Sequence, residues 1–67
     1  MIYLEPRSIL DTAISRIENV IIYDFHLLVD CFQSIGMSHI DAIEHIYFNI
    51  IGVSLKGWPT IEEILES

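Results

Sequence analysis

Between Asp24 and Ile51 the chain spells out two amphipathic helices and the turn that joins them. Phe25, Leu28, Val29, Phe32 and Ile35 recur at the helical period and so share one face. Asp24 precedes that run as an N-cap, and Gly36 follows it as a left-handed C′ residue. Met37 is placed to fold its side chain back on the last turn, and Ser38 then caps a second helix, with Asp41 three residues on. Ile40, Ile43, Ile46, Tyr47, Ile50 and Ile51 are expected to line its buried side. Asp41 and Glu44 near its amino end suit the helix dipole, and Asn49 and Gly52 mark where it frays.

A chain of 67 residues makes one small domain, in a size range where folding hides only about 60% of the unfolded surface. Dense apolar contact must compensate, and 52% hydrophobic residues with a mean hydropathy of +0.50 supply it. Disorder, which goes with low hydrophobicity, is excluded. So much apolar surface on so short a chain predicts self-association, most simply a symmetric homodimer, or a hydrophobic partner.

The flanking segments are less regular. Met1–Leu4 is a short strand candidate closed by Glu5-Pro6. Ser8, three residues before Asp11, opens a helix in which Ile9, Leu10, Ala13, Ile14 and Ile17 keep helical spacing. Val20-Ile21-Ile22-Tyr23 favours a strand through its β-branched and aromatic residues, although an isoleucine-rich chain could also continue the helix. The extended form is preferred because Asn19 and Asp24 bracket the run. After Lys56-Gly57-Trp58-Pro59, Thr60 and Glu63 resemble a capping box for a last helical turn, with Ile61, Ile64 and Leu65 inward. The expected fold is therefore mainly α: a compact three-helix domain over 1–67 with helices near 8–18, 24–35 and 38–51. A two-stranded β-ribbon of Met1–Leu4 with Val20–Tyr23 and a short C-terminal helix complete it.

Ten acids against three bases give −7, and residues 24–55 carry four acids with no Lys or Arg. Such a field repels phosphate backbones and anionic membranes and favours basic protein partners. The two-helix outline resembles a DNA-binding unit, but its second helix shows Asp41 and Glu44 and no base to neutralise phosphate. Direct nucleic-acid binding is not expected, and neither is a membrane span, since the longest uncharged run is His45 to Leu55. Cys31 stands alone among Val29, Phe32 and Ile35, as a buried thiol would. With no basic region followed by an apolar run at the N-terminus, a cytoplasmic, reducing location fits.

Candidates for chemistry are few. His39, Asp41, Glu44 and His45 lie within two turns, and Asp41 with His45, like His26 with Asp30, are i,i+4 neighbours. They could form a metal site or an acid–base pair. However, His39 and His45 are six residues apart and cannot share a metal from one straight helix face, so surface pairs are the better expectation, with no metal and no cofactor. Cys31 lacks a nearby base to lower its pKa, the serines sit at caps and turns, and no glycine-rich phosphate loop exists. An enzyme is not expected.

Ile46, Tyr47 and Phe48 are consecutive and cannot all face one side of a helix. Phe48, with Ile51 or Val53 beside it, is therefore an exposure candidate, and Trp58 in its Gly-Trp-Pro turn is a second. With Asp41 and Glu44 as fixed charges, Phe48, Ile51 and Trp58 make up the expected protein interface.

The run Gly36-Met37-Ser38 through Asp41-Ala42-Ile43-Glu44 to Tyr47-Phe48-Asn49-Ile50 resembles a pattern in short uncharacterised proteins of bacteriophages and their hosts. An opening similar to Leu4-Glu5-Pro6-Arg7 also occurs among them. The resemblance covers about half the chain and is not a catalytic signature. It implies a phage-type accessory protein that binds and inhibits or modulates a host protein but names no target. The acidic charge, separately, points to a basic, nucleic-acid-binding surface as what it would cover. The alternative is a self-assembling structural protein with no target beyond itself.

Overall fold

The computed structural model describes residues 1–64. Its centre is a three-stranded mixed sheet, ordered β1 (Ile14–Ile17), β2 (Ile21–Asp24) and β3 (Thr60–Glu62). β1 and β2 form an antiparallel hairpin, while β3 returns parallel to β2 after the helices. Helix α1 (Arg7–Leu10) leads through a 3₁₀ turn, Asp11–Ala13, into β1. Between β2 and β3 lie α2 (Phe25–Ser34) and α3 (His39–Ile46), with a π-helical turn at Tyr47–Ile51 extending α3. The chain is an α+β domain and not the mainly α three-helix domain that its periodicity predicts.

The helix expected over 8–18 breaks at Ala13, where the chain becomes extended and pairs with β2. Ile14 stands opposite Tyr23 and Ile17 opposite Ile21, so four residues of β1 face three of β2, with a bulge between Ile14 and Arg16. Ile14 packs against the core while Ile17 is exposed, so their helical spacing marks no shared buried face, and pairing with β2 decides the element. Ser8 sits inside α1, and Pro6 precedes it with no side-chain cap. Val20–Tyr23 is extended as expected from Ile21 onward, but its partners are β1 and β3, and Met1–Leu4 forms no strand. Leu4 instead donates its N–H to the buried Tyr23 hydroxyl at 2.8 Å.

The expected C-terminal helix is also overturned: Thr60–Glu62 is strand. β2 offers an open edge there, and satisfying that edge outweighs a capping box on an isolated turn. Ile61 packs on the core as the helical expectation also required, Ile64 is exposed, and Leu65 lies outside the described residues.

The central helical pair follows its local signals. Asp24 accepts from the Leu27 N–H at 3.0 Å and Ser38 from the Asp41 N–H at 3.1 Å. Gly36, at φ 109°, donates to the Gln33 carbonyl, and Met37 donates to that of Phe32, both at 3.1 Å. This paired arrangement satisfies two carbonyls at the helix end and turns the chain into α3. The core gathers Leu10, Ala13, Ile21 and Tyr23 against Leu28, Val29, Cys31 and Phe32 of α2 and Ala42, Ile46 and Ile50 beyond the turn.

Candidate functional site

α3 buries a narrower face than its six apolar residues predict. Ala42, Ile46 and Ile50, four apart in turn, point into the core, and Ile43 is half-buried. Ile40, Tyr47 and Ile51, expected inside, are exposed, and so is Phe48, whose side is 76% open to solvent. A helix packed on one neighbour can hide only a limited arc, and Ala42 allows the close approach to α2 that fixes which arc it is.

The π-helical turn lies where Tyr47, Phe48 and Ile51 project. Gly52 donates its N–H to the Tyr47 carbonyl at 2.9 Å, five residues back. A Cβ at Gly52 would stand 3.0 Å from that same carbonyl oxygen, so the wide turn is closed by a residue without a side chain. Trp58, expected at the interface, is half-buried, and its indole N–H donates to the Ile50 carbonyl at 2.8 Å. It secures the end of this turn.

Asp41, Glu44 and Phe48 meet with Met37, His45 and Asn49 around a shallow depression of about 360 Å³. The structure thus brings together three of the five residues singled out from sequence. Ile51 lies one turn on from Phe48, and neither it nor Trp58 lines the depression. Met37 carried no sequence signal for this place, whereas helical spacing already grouped His45 with Asp41 and Glu44. His45 reaches it because its ring packs edge-on against Phe32, centroids 4.7 Å apart, while the Asn49 side-chain nitrogen lies 3.3 Å from its Nδ1.

Among the described residues neither Asp41 nor Glu44 enters an ion pair. The two arginines are engaged at a distance from them, Arg7 with Asp11 and Arg16 with Glu18 and Glu62. No family model, no curated protein and no solved structure matches the chain.

Of the histidines weighed from sequence, His45 alone lines the depression with Asp41 and Glu44. His39 turns its Nδ1 to the Gln33 side-chain oxygen at 3.2 Å, and His26 pairs with Glu63 at 3.3 Å instead of Asp30. No three His, Cys, Asp or Glu side chains converge among the described residues as a metal site requires. Cys31 is buried, with its thiol 3.4 Å from both the Ile9 carbonyl and the Thr12 hydroxyl. No described helix is long and apolar enough to cross a membrane.

Proposed function

We propose that this chain is a small, acidic, non-enzymatic binding module that docks through the outward face of α3 onto a basic protein surface. One observation carries it: Phe48 stands exposed beside two carboxylates that no cation of the described chain neutralises. Ile40, Tyr47 and Ile51 extend the same face along the helix. Contiguous exposed apolar surface bordered by charge is the usual mark of an interface. The acids speed encounter with a basic partner, and the apolar side chains slow its departure.

The resemblance to short phage accessory proteins supports an inhibitor or modulator of a host protein, acting in the host cytoplasm. A symmetric dimer through α3 would cover the same residues. It would also bring Asp41 and Glu44 of two chains together, each chain already at −7, so charge favours a basic partner over a second copy.

The test is retention of bacterial proteins by the immobilised chain, compared across variants. Wild type and Asp30→Asn, an exposed acid of α2, should retain the same stoichiometric partner at low salt. Phe48→Asp and the double variant Asp41→Asn/Glu44→Gln should lose it. Equal retention by all four would overturn the docking face. A dimer at low micromolar concentration that Phe48→Asp dissociates would replace this role with self-assembly.

A further inference from the structure

Resting on the docking role just proposed, we infer that the depression beside α3 seats one arginine side chain of the partner. Its lining combines an exposed aromatic ring, Phe48, a flexible apolar side chain, Met37, and two carboxylates, Asp41 and Glu44. An arginine matches each part. Its methylene stem packs on apolar surface, its planar guanidinium stacks on an aromatic ring, and its fork of N–H donors meets carboxylates.

The chain itself contains this combination in completed form. Arg7 Cζ sits 3.5 Å from the centroid of the Tyr3 ring, while its Nη2 lies 3.1 Å from Asp11. Beside α3 the ring and the carboxylates are present without a cation. The chain's other guanidinium, that of Arg16, is held by Glu18 and Glu62. Lys56 enters no ion pair among the described residues, and it carries a compact ammonium that cannot stack as a plane. No cation of the described residues pairs with Asp41 or Glu44, so the arginine proposed for the depression comes from the partner.

Amide chemical shifts of the full chain, titrated with N-acetyl-arginine methylamide, test this directly. The lysine and norleucine methylamides serve as parallel probes. Arginine should shift amides at Met37, Asp41, Glu44, His45, Phe48 and Asn49, and norleucine should not. The lysine probe should bind about fivefold more weakly, reflecting the lost stacking. Phe48→Leu should weaken arginine about fivefold, and Asp41→Asn/Glu44→Gln about tenfold.

Lysine and arginine acting alike, shifts spread equally over Asp24 and Asp30, or no shifts at all would each overturn the arginine seat. Failure here with partner retention still lost in Phe48→Asp removes the seat and leaves the docking face standing. Failure of both removes both.

Discussion

Arg16 of β1 and Glu62 of β3 close a two-pronged ion pair across the strand between them, Nη2 to Oε2 at 2.8 Å and Nη1 to Oε1 at 3.1 Å. Ile22 of β2 stands directly opposite Arg16 and is buried, although it is not part of the main core cluster. The pair thus ties the two edge strands together on the sheet face away from the helices. Both side chains are more than a third exposed, so solvent screens the pair and its coupling should be below about 1 kcal/mol. A double-mutant cycle with Arg16→Met and Glu62→Gln, read by urea denaturation, checks this value. Arg16→Ala should cost more than Arg16→Met, because the stem covering Ile22 is lost as well.

The face that α3 presents to the core is testable by contrast. Ile46 is fully buried, whereas Ile40 is 67% exposed on the same helix. Ile46→Ala should destabilise by about 2–5 kcal/mol, and Ile40→Ala by no more than about 0.5 kcal/mol. Thermal or urea unfolding of the two variants decides it. Equal costs would restore the broader buried face that the hydrophobic pattern suggests.

Tyr23 gives the fold an alkaline limit. Burial pushes its phenol above the ordinary tyrosine value, and the Leu4 N–H on its oxygen acts in the opposite direction. Folding favours the neutral phenol, so this contribution is complete below the unfolded value of about 10. It is lost as pH rises through the higher folded value. Denaturation followed by circular dichroism should show stability falling above about pH 10. Tyr23→Phe should flatten that fall and cost about 1–3 kcal/mol at neutral pH, because the buried Leu4 N–H loses its acceptor.

Trp58 separates a structural from a docking role at the end of the π-helical turn. Its indole N–H reaches the Ile50 carbonyl at 2.8 Å, a carbonyl that also accepts from Val53 at 3.2 Å. Trp58→Phe should cost about 1 kcal/mol in urea denaturation and leave partner retention unchanged. Loss of retention at unaltered stability would place the indole in the interface instead.

What the sequence made legible follows the range of the forces involved. Asp24, Gly36 and Ser38 act within one turn of their own helices, so capping chemistry read from neighbours located both helices of the central pair. Ile14 and Ile17 misled because their helical spacing marks no shared buried face: Ile17 is exposed, and pairing with β2 decides the element. Thr60 to Glu62 misled because its decisive partner, β2, lies nearly forty residues earlier in the chain. Phe48 was legible as exposed, since three consecutive large residues cannot share one helix face, and Asp41 and Glu44 join it by helical spacing. Met37 and Trp58 were not legible in their roles, because each depends on where a turn places one side chain.

The affinity of the captured partner for the chain, followed across salt concentration, tests the docking face most directly. Wild type should weaken steadily as salt rises, because screening reduces the attraction between Asp41, Glu44 and a basic surface. The variant Asp41→Asn/Glu44→Gln should bind more weakly at low salt and respond less to added salt. Identical affinity and identical salt dependence in the two proteins would contradict the account.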